Sequence, residues 1–317
     1  MDRVGLLHRV YDIFKRAGFE LADICASRSI GFDIIARKDK RLVIVKVLTN
    51  IDSFSENVAH DLKTLASLLR ASLLLIGERE GTTYLEDDVI YFRNGVQTIT
   101  ANTLENHLLG EIPIQVYAAP GGFYASLNGK RIREIREKKN LSRGELARMI
   151  HVSRKAIRLY EEGMDARVEI AAALEEILHP SVIDSLDILR PVEPMRIHRR
   201  IGDMGWLYSF QREILSLMEK IGYRVIPMHR CPFEAISKEK KSNMLFTMVQ
   251  RYDSTLKERA RIIKGIARIT EKHAVIFTDK YLGSKKSVEG TPLIRREELK
   301  RIRDPSEILN MIVDREK

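Results

Sequence analysis

Residues 31–47 read GFDIIARKDKRLVIVKV. Two runs rich in β-branched and apolar residues flank the charged turn Arg37–Arg41, which is the pattern of two strands joined by a turn. The first strand carries an acid, Asp33, and the second carries Lys46, with Ile44 two residues before it. An acid and a lysine on neighbouring strands read either as an ordinary ion pair or as the remnant of a chemical site. Upstream, VGLLHRVYDIFKRAGFE places Leu6, Val10, Ile13 and Phe14 at helical spacing, and Gly18 marks the helix end. Downstream, NVAHDLKTLASLLRA is helical and SLLLIGE is a short buried strand. The first segment thus runs helix, strand, strand, helix, strand.

The same order returns near the other end. FQREILSLMEKIGYRV is a helix stopping at Gly222, PFEAIS and NMLFTMVQR are strands around KEKKS, LKERARIIKGIARIT is a helix, and AVIFTD is a strand. Phe32-Asp33 falls on Phe233-Glu234, and Gly18-Phe19 on Gly222-Tyr223, with about three residues' difference in loop length. This is an internal duplication. Turn-rich YAAPGGFYASLNGK and a stretch broken by Pro180, Pro191 and Pro194 separate the copies from a helical middle. The chain therefore divides into α/β residues 1–125, helical residues 126–180, a linker at 181–205 and α/β residues 206–317.

At 317 residues the chain suits two or three domains. No apolar run approaches the roughly 20 residues needed to span a bilayer. Cys25 and Cys231 lie far apart with no Cys/His cluster, which speaks for a reduced, cytoplasmic setting and against structural zinc. The net charge of +10 suggests a polyanionic partner. That charge is uneven. Residues 1–125 hold 14 Lys and Arg against 16 Asp and Glu, whereas residues 206–317 hold 24 against 15. Residues 130–158 hold 11 basic against three acidic side chains, the most concentrated phosphate-facing stretch.

Within that stretch, Ile132 and Ile135 share one face of a helix at about 130–138. Ser142 and Glu145 form a capping box for a second helix, which turns Leu146 and Ala147 inward. IHVS is a tight turn with Val152 buried, and Ser153 caps a third helix at about 154–162 that buries Ile157 and Tyr160 and stops at Gly163. A helix at 168–177 closes the bundle with Ile170, Leu174 and Leu178. LSRGELARMIHVSRKAIRLYEEG closely resembles the second and third helices of the Cro and phage-repressor (XRE) helix-turn-helix family, over about 50 residues. One departure is His151, where the family's turn usually holds glycine; His tolerates a left-handed backbone. The resemblance implies that the third helix enters the major groove of double-stranded DNA. Arg154, Lys155 and Arg158, with Arg143 on the second helix, match the base-reading positions. Arg154 is the first choice for a guanine edge. Ser142 and Ser153 with their helix N-termini suit phosphates, and Lys130, Arg131, Lys138 and Lys139 would add sequence-blind contacts.

The two α/β copies resemble the restriction-endonuclease-like fold, whose nucleases carry a second carboxylate two residues before the lysine. Here that position is Ile44. The first copy offers Asp33, Lys46 and the nearby acids Asp12 and Glu20. The second keeps Glu234, but its lysine position falls on Thr247 or Met248 and its carboxylate position on Leu245 or Phe246. Such chemistry needs metal held mainly by carboxylates, so both copies read as degenerate, with Asp33 and Lys46 vestigial and neither metal nor cofactor expected. The fold class expected is α/β plus all-α: two duplicated restriction-endonuclease-like domains flanking a Cro-type bundle. That arrangement resembles an archaeal family of helix-turn-helix transcriptional regulators. The resemblance implies a cytoplasmic, sequence-specific, non-catalytic DNA-binding regulator. It would act as a homodimer joined through residues 1–125, with the flanking domains also supplying non-specific DNA affinity through the basic C-terminal copy or an effector site. The alternative is a metal-dependent nuclease or junction-processing enzyme targeted by its helix-turn-helix, and a third reading is an architectural scaffold.

Overall fold

The computed structural model describes residues 2–24, 30–239, 243–251, 253–279 and 285–316. Cys25, residues 240–242 of the KEKKS stretch and Gly283 lie outside them. Helix α1 (Arg3–Arg16) is capped by the Asp2 carboxylate, which accepts from Gly5 N at 2.8 Å, and it buries Leu6, Leu7, Val10, Ile13 and Phe14. Strands β1 (Glu20–Leu21), β2 (Ile34–Lys38) and β3 (Arg41–Val47) follow, then α2 (Glu56–Leu69) and the fully buried β4 (Ser72–Ile76). A two-residue hairpin, β5 (Arg79–Glu80) and β6 (Thr83–Tyr84), precedes β7 (Val89–Arg93), β8 (Val96–Ile99) and α3 (Ala101–Leu109). The glycine-rich connection is itself a hairpin, β9 (Val116–Ala119) and β10 (Gly122–Ala125), with Gly121 and Gly122 at φ +96° and +134°. The middle comprises α4 (Gly129–Lys138), α5 (Arg143–Met149), α6 (Arg154–Glu161), β11 (Ala166–Arg167) and α7 (Val168–Ile177). The last third holds α8 (Ser209–Ile221), β12 (Arg224–Pro227), β13 (Ala235–Lys238), β14 (Met244–Val249), α9 (Leu256–Thr270) and β15 (His273–Phe277). A short hairpin, β16 (Ser287–Val288) and β17 (Thr291–Pro292), then leads to α10 (Arg296–Arg301) and α11 (Pro305–Glu316).

The chain forms two compact units. The first comprises Met1–Ala17, Val47–Ser55 and Leu74–Arg190. Within it, Leu74–Ile76 of β4 run parallel to β8, and the strand order continues β8-β7-β9-β10-β11. Helix α1 packs on α3, where Arg9 reaches Glu105 at 2.8 Å and Arg16 reaches it at 3.0 Å. The helical middle is stitched into this sheet because β11 pairs with β10, Ala125 opposite Ala166, and the Tyr117 hydroxyl donates to Asp165 at 2.6 Å.

The second unit comprises Gly18–Lys46, Glu56–Leu73 and Pro191–Lys317. It holds the antiparallel β1-β2-β3 meander and a four-stranded sheet, β12-β13-β14-β15, whose last pair is parallel. Its C-terminal core gathers Ile214, Leu215, Met218, Leu245, Val249, Val275, Phe277, Ile308 and Ile312. Helix α9 packs on β2, Gly31 N donates to the Arg230 carbonyl at 2.6 Å, and Arg37 reaches Glu271 at 2.8 Å. Parts of both sequence repeats therefore belong to one compact unit. The proline-rich stretch at 191–200 has no regular secondary structure. It is pinned all the same: Val192 N donates to Ala71 O at 2.9 Å, and Arg199 pairs with the buried Asp61 at 2.6 Å.

The element order α8-β12-β13-β14-α9-β15 repeats α1-β1-β2-β3-α2-β4. Strand register chooses between the alternatives the sequence left open. Ile34 lies opposite Val45, so Asp33 faces Lys46; Ala235 lies opposite Thr247, so Glu234 faces Met248. Met248 thus stands where Lys46 does, and Phe246 where Ile44 does.

Candidate nucleic-acid interface

The helical module is built around Ile132, Leu146, Ala147, Ile157, Tyr160, Ala171, Leu174 and Leu178, all buried, with Ile135, Val152 and Ile170 half-buried against them. Helices α4, α5 and α6 each start where a side chain takes an orphan backbone N–H, whereas α7 has no side-chain cap. Asn128 accepts from Arg131 N at 3.0 Å, and Ser153 accepts from Ala156 N at 3.0 Å. Ser142 and Glu145 complete the reciprocal box, at 3.1 and 2.7 Å. His151 adopts φ +54°, the left-handed turn that the spacing between α5 and α6 demands. At the far end, Gly129 lies against the C-terminus of α6: a Cβ there would stand 2.5 Å from the Glu161 carbonyl oxygen.

Arg154, Lys155 and Arg158 all lie exposed on α6, with Ser153 at its exposed N-terminus. Arg154 and Lys155 make no ion pair among the described residues, whereas Arg158 is tethered to Glu162 at 3.6 Å. Lys130, Arg131, Lys138 and Lys139 are exposed as well; Lys130 reaches Glu134 at 3.8 Å, and Lys139 donates to the Ile177 carbonyl at 2.6 Å. Arg143 is placed differently. Its Nε donates to Glu161 Oε2 at 2.7 Å, so its guanidinium joins a charge cluster inside the module.

Sequence reading missed that cluster. The Glu161 side chain is fully buried and receives Arg136 at 2.6 Å, Arg143 at 2.7 Å and Arg133 at 3.5 Å. Burial alone would raise the Glu161 carboxyl, but hydrogen bonds from Arg136 and Arg143 outweigh it and hold the group below its ordinary range. Arg136 follows Ile132 by four residues on the inward face of α4. A cation at that position was the available signal.

In the nuclease-like region, Asp33 is fully buried and Lys46 Nζ lies 3.4 Å from its Oδ1, with only 12% of the lysine side chain exposed. Ile44 is fully buried on the same side of β3. Asp12 is exposed and paired with Arg16 at 3.8 Å, and Glu20 is exposed. Among the described residues, no three His, Cys, Asp or Glu side chains form a metal-holding group. Of the two acid positions of the nuclease pattern, one is held by Asp33 and the other by the apolar Ile44. In the second repeat, Glu234 is also buried. Its carboxylate accepts from Val249 N at 2.6 Å and from Arg259 at 2.9 Å, at the edge of a cavity of about 920 Å³ also lined by Trp206, Phe210 and Gln250. Burial pushes this carboxyl above its ordinary range, with Arg259 and the Val249 amide pulling against it.

A family model described as a PD-(D/E)XK superfamily domain matches residues 3–114, and one described as a helix-turn-helix matches residues 132–179. Three archaeal relatives carry the name "Putative HTH-type transcriptional regulatory protein". The Methanosarcina barkeri protein is 34% identical over 99% of this chain and 98% of its own length. The Methanosarcina acetivorans protein is 36% identical over 99% and 98%, and the Archaeoglobus fulgidus protein 34% over 98% and 98%. No solved structure matches. Full-length similarity of this kind, together with a nuclease-type domain and a helix-turn-helix in one chain, makes the chain a member of this archaeal family of HTH-type transcriptional regulatory proteins.

Proposed function

We propose that the chain is a sequence-specific DNA-binding transcriptional regulator that cuts no DNA. The observation that carries this reading is α6. Three exposed cations, Arg154, Lys155 and Arg158, stand on a short capped helix, and a buried ion cluster at Glu161 fixes its other end. Arg154 is the base reader, because its planar fork matches guanine O6 and N7. Lys130, Arg131, Lys138, Lys139 and the N-termini at Ser142 and Ser153 hold phosphates. Arg143 serves mainly to lock α5 to α6 through Glu161. Two modules on one site form the working unit, and the near-neutral residues 1–125 supply the dimer contact. The second repeat is a diverged restriction-endonuclease-like domain in which Arg259 neutralises the buried acid.

Selection of bound duplexes from random DNA, followed by Arg154→Ala, tests the reading. The substitution should cost about 1–3 kcal/mol at the selected site and relax one base position. Equal weakening on selected and random DNA would reject this placement of the reading helix. The nuclease alternative draws on the PD-(D/E)XK match and the retained Asp33 and Lys46. Metal-dependent nicking of plasmid by pure protein, abolished by Asp33→Ala, would establish it instead.

A further inference from the structure

We propose that the exposed face of α9 is a second, sequence-blind surface for the DNA backbone, remote in sequence from the helix-turn-helix. The proposal rests on the reading of the chain as a DNA-binding protein. Lys257, Arg261, Lys264, Arg268 and Lys272 follow one another at spacings of four, three, four and four residues. Within α9 the first four fall inside an arc of about 60° at about 100° per residue, spread over about 17 Å at a rise of about 1.5 Å per residue, and Lys272 follows just beyond the helix end at Thr270. The first four are exposed and Lys272 is half-buried. The opposite face is committed to the core through Leu256, Ala260, Ile263 and Ile266.

A basic helix face becomes an anion surface only where nearby acids do not cancel it. Glu271, at the edge of the stripe, is held by Arg37 at 2.8 Å, and Glu316 lies 3.1 Å from the His273 ring nitrogen. Glu289 takes Arg261 at 3.6 Å, and Asp23 also borders the groove. Lys257 and Lys264 have no ion-pair partner among the described residues. Arg261, Lys264, Arg268 and Lys272 also border a groove of about 560 Å³. Flexible cations in a row one helix turn apart suit a repeating chain of phosphates, and they carry no means of reading bases. The surplus of 24 cationic over 15 anionic residues in 206–317 points the same way.

The test compares the full-length chain with its Lys257→Gln/Lys264→Gln/Arg268→Gln variant, measuring affinity for preferred and random duplexes between about 0.05 and 0.2 M salt. Each lost phosphate contact removes about 0.9 from the slope of log affinity against log salt, so the slope should fall by about 2.7 on both duplexes. The ratio of preferred to random affinity should stay the same. Arg154→Ala should do the converse, lowering that ratio while changing the slope by at most about 1. A triple variant with unchanged melting temperature and unchanged slope overturns the surface and leaves the helix-turn-helix reading standing. A wild-type chain that binds no duplex at any of these salts overturns both.

Discussion

Glu161 brings a fully buried carboxylate together with Arg136, Arg143 and Arg133, three side chains that the sequence distributes over two helices. Removing one partner of a buried ion pair strands the others, which typically costs about 3–5 kcal/mol. Glu161→Ala should therefore lower stability by that amount near neutral pH, measured by urea unfolding. The pH dependence has a definite sign. A carboxyl held below its ordinary value of 4.5 stabilises the fold fully above that value and loses its contribution as pH falls through the folded-state value. The gap between wild type and Glu161→Ala should thus be constant above about pH 5 and close at lower pH. A gap that widens on acidification would contradict the assignment. Asp33 obeys the same logic of burial in a different setting. If its role is to face Lys46 in the core, Asp33→Ala should shift the unfolding midpoint and leave DNA affinity unchanged, as a binding titration beside a denaturation curve would show.

At the scale of elements, two backbone positions decide how the module's helices meet. Gly129 opens α4 where the chain passes against the carbonyl end of α6. A methyl group there would sit 2.5 Å from the Glu161 oxygen and 2.7 Å from that of Tyr160. Backbone atoms cannot rotate away as a side-chain tip can, so Gly129→Ala should destabilise by about 1–3 kcal/mol and loosen α6. Lower melting temperature together with weaker DNA binding is the expected pair of results. His151 presents the opposite case. A non-glycine residue at φ +54° carries steric strain of about 1 kcal/mol, part of which glycine would relieve at some entropic cost. His151→Gly should raise the melting temperature slightly and leave affinity for the selected site as it was.

For the whole molecule, recognition of one genomic site by a single small module is too weak, since such a module buries only about 600–1,000 Å² on DNA. Pairing over half-sites about 10 base pairs apart is the usual remedy. The full-length chain is expected to sediment at twice its 36.5 kDa. Deleting residues 1–125 would be a poor test of the interface, because Gly18–Lys46 and Glu56–Leu73 belong to the same compact unit as the C-terminal third. Point charges are cleaner. Tyr84 and Phe92 are 75% and 54% exposed, large apolar groups in the near-neutral third of the sequence. Tyr84→Glu/Phe92→Glu should yield a folded monomer in sedimentation, and a variant that stays dimeric would move the contact elsewhere.

Sequence alone fixed what depends on near neighbours along the chain. Caps at Ser142 and Ser153, the left-handed turn at His151 and the inward Leu146 and Ala147 were all readable, because helix start signals and 3.6-residue periodicity act within a few residues. The helix, strand, strand, helix, strand order of both repeats was legible for the same reason, but the strand that follows the first helix of each, β1 and β12, was not; Arg224 and Val225 of β12 read as the end of α8. Other features were settled only when distant segments met. The strands between residues 79 and 119 are short and half-exposed, so their periodicity is weak until their pairings are known. Register at Glu234 needed its partner strand. The ion pair of Arg143 with Glu161 was hidden in the same way, because the two residues lie 18 positions apart. The grouping of β1–β3 with the C-terminal third is the largest of these tertiary decisions. Two similar α/β patterns bury similar apolar faces, and local propensity cannot say with which elements each face will pack.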